Sequence, residues 1–176
     1  DLIKVLGCGV EVKSKANKGL ATFDINGLRW SKVIICTDAD VDGFQIRTLI
    51  LTMIYRLMST LITAGKVYIA ETPLYEIKTK DMTYFAYDEK EKTESLQKIG
   101  NAKHEIQRSK GLGENQPDMM NLTTMNPETR RLVKVMPQDA ERTSQMFDLL
   151  LGDNLQGRKD FIAENGYIYI DEADIS

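Results

Sequence analysis

A run of apolar strand-formers, Val33-Ile34-Ile35-Cys36-Thr37, leads directly into Asp38-Ala39-Asp40-Val41-Asp42-Gly43 and then into a long apolar pattern of helical period. Ile46, Leu49, Ile50, Met53, Ile54, Leu57, Met58, Leu61 and Ile62 recur at the i, i+3, i+4, i+7 spacing of one helix face. That spacing predicts a single helix of about six turns, ending near Gly65. Lys66-Val67-Tyr68-Ile69-Ala70 then reads as a second strand. Strand, helix and strand in this order form a β-α-β unit, with parallel strands and a right-handed crossover. A chain with this unit at its centre is an α/β protein, and ligands in such sheets gather at the carboxyl ends of the strands.

The three aspartates lie at such an end. If the strand runs on through them, residues i and i+2 point to one face about 6–7 Å apart, and their carboxylates converge. Mutual repulsion then raises the pKa of at least one of them unless a cation neutralises the group. Hard oxygen ligands on a compact turn suit Mg²⁺ or Ca²⁺, so Asp38, Asp40 and Asp42 form a candidate divalent-metal site. Plainer readings stand beside it: Asp42 as the N-cap of the following helix, and Asp38 and Asp40 as solvated acids. An EF-hand is excluded, because its loop needs a bidentate Glu at the twelfth position, here Leu49, and an entering helix where this chain has a strand. A haloacid-dehalogenase-like phosphotransferase also begins with a strand and D-x-D, but usually carries Thr or Val where this chain has Asp42.

Composition sets the limits. The 176 residues are 42% hydrophobic and 28% charged, ordinary for a globular protein, and the net charge of −3 announces no global affinity for nucleic acid. Any DNA contact must therefore come from a local patch. Cys8 and Cys36 are far apart, which suggests neither a zinc site nor a disulfide framework and fits a reducing cytoplasm. The longest apolar stretch is interrupted by Arg47 and Arg56, against a membrane span. The chain starts at Asp1 with no basic or apolar leader, and reads as a piece of a longer protein.

Elsewhere, residues 2–6 read as a helix end closed by Gly7, and residues 10–31 as loop. Pro73 precedes a hairpin of residues 74–78 with 83–87, turning near Lys80-Asp81, and residues 88–100 read as an exposed charged helix. Ile106 to Glu114 predicts a strand passing into a basic, glycine-containing loop. There Arg108 and Lys110 are candidate phosphate contacts, with an ordinary surface turn as the alternative. Helical pieces follow at 117–125, from Asn126, at 137–151 and at 156–164, with Tyr167 to Ile170 as a strand or ordered tail. His104, the single histidine, is assigned to the surface.

Several separated segments together resemble one family. Thr37 to Gly43 with Ile46-Arg47-Thr48-Leu49, Gly65 to Ala70, Pro73-Leu74-Tyr75, Lys110-Gly111-Leu112-Gly113-Glu114 and Thr123 to Arg130 are similar in order and spacing to the B subunit of bacterial type IIA DNA topoisomerases. Leu6-Gly7-Cys8-Gly9, Leu151-Gly152-Asp153 and Arg158 to Ile162 extend the likeness, and the first of these, with the Arg47 context, is nearer gyrase than topoisomerase IV. The resemblance implies a Rossmann-like Toprim domain over residues 1–78, with a largely parallel sheet of about four strands and lacking its N-terminal part. An α-rich C-terminal tail subdomain over residues 79–176 follows. It further implies Mg²⁺ at Asp38 and Asp40, with Asp42 as an additional or water-mediated ligand, in a site that holds two metals in the intact complex. The partner A subunit of an A2B2 assembly supplies the tyrosine that attacks DNA, and ATP binds in regions of the family's proteins that this chain does not contain.

Three departures carry meaning. The family's upstream Glu, a metal ligand and acid/base, has no counterpart before Asp38, so the catalytic set is incomplete and the piece alone is expected to be inert. Phe44-Gln45 stand where a small residue and His are usual, and Asn115 where Met is usual. The competing non-enzymatic reading is a scaffold that binds DNA or a partner protein.

Overall fold

The computed structural model describes residues 1–109, 111–136 and 140–172. The chain divides into two compact units, one made of residues 1–31, 51–66 and 135–176, the other of residues 32–50 and 67–134. These units interleave along the chain, because helix α2 (Val41–Leu57) begins in the second and ends in the first.

Both sheets belong to the second unit. Strand β1 (Val33–Ile35) pairs in parallel with β2 (Val67–Ala70), in the register Val33 to Val67 and Ile35 to Ile69. The β-α-β expectation is thus met in its strand direction. The parallel portion ends there, since the third strand of this sheet, β6 (Leu132–Lys134), runs antiparallel to β2. The other sheet is antiparallel throughout: β3 (Tyr75–Thr79) lies between β4 (Thr83–Ala86) and β5 (His104–Arg108). The β3–β4 hairpin turns where the sequence placed it, closed by the Thr79 hydroxyl donating to the Met82 carbonyl and accepting its amide. Val67, Ala70, Pro73, Tyr75, Ile77, Ala86 and Met119 are buried. Helix α4 (Glu89–Ile99) is capped by the Asp88 carboxylate on the Glu91 amide at 2.7 Å. Tyr75 donates to the Glu89 carboxylate, and Lys92 lies 4.2 Å over the Tyr75 ring.

In the first unit, α1 (Leu2–Leu6) ends at Gly7 with φ 85°, a left-handed cap that a side chain resists. Leu6, Cys8, Val10, Ile54, Met58, Leu61 and Ile62 are buried. The single helix expected up to Gly65 is in fact two, α2 and α3 (Ser59–Thr63), broken at Met58. The cause is a remote residue, Glu11. Its amide donates to the Leu57 carbonyl at 2.8 Å, taking up an orphan acceptor at the end of α2. Its carboxylate accepts the Ser59 hydroxyl and the Thr60 amide, each at 2.7 Å, and so caps α3. Met58, turned out of helical geometry with ψ 46°, drops into the core. Helix α6 (Ala140–Leu151) meets α2 through the stacked Tyr55 and Phe147 rings, 4.8 Å between centroids, and the Arg56–Asp148 ion pair.

One further expectation is corrected and another is decided between its alternatives. After α5 (Pro117–Met120) and a π-turn at Asn121–Met125, Asn126 starts no helix: its side chain accepts the Glu128 amide, making an Asx turn that delivers the chain to β6. Tyr167 to Ile170 lie in 3₁₀ turns that follow α7 (Leu155–Asn165) directly, not in a strand. Residues 137–139, the expected start of α6, lie outside the described residues.

Burial acts to raise the Glu11 pKa, but its hydrogen bonds to Thr60 and Ser59 outweigh that and hold it below the ordinary value. Its contribution is therefore complete above the unfolded glutamate pKa of about 4.3 and is lost as pH falls through the lower folded value. Glu11→Ala should cost about 1 kcal/mol near neutral pH. In urea titrations the gap between wild type and variant should close on acidification below pH ~4.

Candidate metal and nucleic-acid site

The acidic cluster sits beyond the strand. With β1 ending at Ile35 and α2 starting at Val41, Asp38 and Asp40 occupy the strand-to-helix turn, and Asp42 lies in the first turn of the helix. The alternation of side chains along an extended strand therefore does not govern their directions. The N-cap of α2 is Asp40, not Asp42: its Oδ1 accepts the Gly43 amide at 2.7 Å, and its carbonyl accepts the Phe44 amide at 2.9 Å. Asp42 is exposed, whereas Asp38 and Asp40 are half-buried.

Gly43 is the steric condition for this turn. A Cβ at Gly43 would lie 2.0 Å from the Asp38 carbonyl oxygen and 2.9 Å from the Asp38 amide nitrogen, so only a bare α-carbon lets the helix begin so close to the strand end.

The Asp38 carboxylate reaches a distant part of the chain. Its Oδ1 accepts the Leu112 amide at 2.7 Å, and a Cβ on Gly111 would stand 3.6 Å from Oδ2, so the backbone at Gly111-Leu112 lies against the carboxylate. This loop is itself pinned. The Ser109 amide donates to the Leu74 carbonyl at 2.9 Å, and the Ser109 hydroxyl donates to Asn115 Oδ1 at 2.5 Å. Asn115 also donates to the Met120 sulfur at 3.6 Å, which gives a packing role to the residue standing in place of the usual Met.

The donor chemistry fits a hard dication. Asp38 and Asp40 each have one oxygen on a backbone amide, and among the described residues neither forms an ion pair. The second oxygen of each is available to a cation at the amino end of α2, with water completing the shell, as Mg²⁺ commonly requires. No three His, Cys, Asp or Glu side chains converge into a complete cage among the described residues. The half-buried Cys36 thiol, two residues upstream, has its pKa raised, first by burial and then by the negative charge of Asp38.

The basic candidates separate. Arg108 ends β5 as an exposed residue, opposite Tyr75 and three positions before Gly111. Lys110 lies outside the described residues. Phe44, exposed in the first turn of α2, carries the Arg47 guanidinium 4.7 Å over its ring. Sequence reasoning missed the Leu112 amide, a backbone group without a side-chain signature; only the glycines on either side of it mark a place where backbone can approach closely.

Comparison with known proteins agrees with this architecture. Residues 2–72 match the Toprim domain family, and residues 101–163 match the family described as DNA gyrase B subunit, carboxyl terminus. The DNA gyrase B subunit of Clostridium acetobutylicum is 49% identical over 145 residues, 81% of this chain and 23% of the relative. That of Archaeoglobus fulgidus is 47% identical over 80% of the chain and 22% of the relative. That of Thermus thermophilus is 43% identical over 93% of the chain and 25% of the relative. The chain therefore joins a Toprim segment to a region like the carboxyl terminus of gyrase B subunits. It belongs to the type IIA DNA topoisomerase B-subunit family and spans about a quarter of the length of the curated relatives it matches.

Gly43→Ala should force the Asp38 backbone away from the start of α2 and destabilise the protein by about 1–3 kcal/mol. Chemical denaturation measures the loss.

Proposed function

We propose that this chain is the metal-bearing part of a gyrase B subunit, with Asp38 and Asp40 as Mg²⁺ ligands and Asp42 as a further or water-mediated one. The observation that carries the reading is the pair of half-buried, amide-anchored carboxylates at the strand-to-helix turn, each with a free oxygen and no cationic partner among the described residues, inside a segment that matches the Toprim domain. Gyrase is preferred to topoisomerase IV because the named relatives are gyrase B subunits. No helix among the described residues is long and apolar enough to cross a membrane. The working partners are then duplex DNA and an A subunit in an A2B2 complex, in the cytoplasm.

When bound, Mg²⁺ stabilises the oxygen that leaves the scissile phosphodiester and neutralises nearby phosphate charge. Asp38 and Asp40 would hold that ion, and their carboxylates are themselves held in place, Asp40 by the Gly43 amide at the positive end of α2 and Asp38 by the Leu112 amide. The nucleophilic tyrosine comes from the A subunit, so the tyrosines of this chain have no part in bond breaking. ATP acts through parts of the whole protein outside this chain. Arg108, at the end of the outer strand β5, contacts DNA phosphates together with Lys110. The boundary near residue 78, between the Toprim part and the tail, is supported by the gap between the two family matches.

In the complete complex with an A subunit and DNA, Asp38→Ala should keep assembly and lower Mg²⁺-dependent cleavage at least about 100-fold. Undiminished cleavage would make this chain a scaffold. Arg108→Ala should weaken DNA binding and reduce the slope of log affinity against log salt by about 0.9 for one lost phosphate contact, measured by fluorescence anisotropy across a salt series.

A further inference from the structure

We propose that the Leu112 backbone amide is the positioning group of the acidic site: by holding Oδ1 of Asp38 it presents Oδ2 to the cation and ties the 109–115 loop to the occupancy of the site. The proposal rests on the Mg²⁺ reading above and deepens it. Asp38 has no regular structure to orient it, since β1 has ended and α2 has not begun. Rotation of a free aspartate would offer either oxygen in many directions. The 2.7 Å bond from Leu112 removes that freedom, and a charged acceptor makes it stronger than a neutral hydrogen bond.

The donor is rigid for reasons visible around it. Ser109 and Asn115 clasp the two ends of the loop through their side chains. The loop closes as a 3₁₀ turn at Leu112–Glu114, with the Asn115 amide donating to the Leu112 carbonyl at 3.3 Å. The Leu112 amide, at the open start of that turn, has no partner within the turn and donates to the Asp38 carboxylate. The Gly111 backbone lies beside the carboxylate, where a Cβ would stand in ordinary contact, 3.6 Å from Oδ2. Groups that orient metal ligands in this way typically change metal affinity 10–100-fold when lost.

One substitution isolates the donor. Gly111 is extended, with φ −144° and ψ 154°, the conformation preferred before proline, and Leu112 is the first residue of its turn, where proline is tolerated. Leu112→Pro therefore deletes the N–H with little demand on the backbone, and Leu112→Ala deletes the side chain while keeping the N–H. The 176-residue chain, labelled with ¹⁵N, would be titrated with Mn²⁺ and followed by paramagnetic broadening of the Gly43 amide.

Wild type and Leu112→Ala should saturate alike, and Leu112→Pro should bind at least about tenfold more weakly. Equal affinity for all three, with saturable binding in the wild type, overturns the positioning role and leaves the metal reading intact. Absence of saturable broadening at Gly43 in the wild type rejects metal binding by this chain's own carboxylates, and this role with it. Should Leu112→Pro not fold, hydrogen exchange decides. In Asp38→Ala the Leu112 amide should exchange about tenfold faster than in the wild type, and an unchanged rate overturns the proposal.

Discussion

Everything at the acidic site depends on how closely the start of α2 approaches the end of β1. The approach is possible because Gly43 has no side chain to collide with the Asp38 carbonyl, and it is fixed by Asp40, whose carboxylate closes the first turn of the helix. From this one constraint follow the half-burial of two carboxylates, their position at the positive end of a helix and the exposure of the third. The cluster is thus built from capping chemistry, and metal binding would use the oxygens that capping leaves over. The two uses of aspartate that compete as readings of the sequence coexist in the fold.

The tail region contributes to the same place by another route. β3, β4 and β5 form a sheet whose outer strand runs into the 109–115 loop, and that loop touches the Asp38 side chain. Two segments far apart in sequence, and matched by separate family descriptions, are therefore joined at the carboxylate that the Toprim segment contributes. The exposed Arg108 at the end of β5 adds positive charge to the approach to that loop, in a chain whose overall charge is negative.

What the sequence revealed was what is local. The β3–β4 hairpin, the charged helix α4 and the left-handed Gly7 follow from periodicity, turn chemistry and capping within a few residues, and the parallel β1–β2 pair follows from the strand-helix-strand order. What stayed hidden depends on distant partners. The break at Met58 is imposed by Glu11, and the apolar period runs through it unchanged because Met58 is buried on either account. Strand β1 ends at Ile35 and α2 already starts at Val41, so the aspartates fall in the turn between them, and Asp40 takes the cap that the sequence offered to Asp42. Turn-formers at Asn126 resemble a helix start until the Asx bond turns the chain toward β6, and Leu112 acts through an atom common to almost every residue type.

The strand order has a kinetic corollary. The β3–β4 hairpin joins neighbours in sequence and can zip on the microsecond scale of isolated hairpins. β2, by contrast, needs β1 from across two helices on one side and β6 from across the whole antiparallel sheet on the other. Those distant pairings carry the loop-closure entropy that slows folding. The aspartate turn hangs from β1, so its geometry depends on one of those distant pairings, and the loop that clasps it depends on another, between β3 and β5.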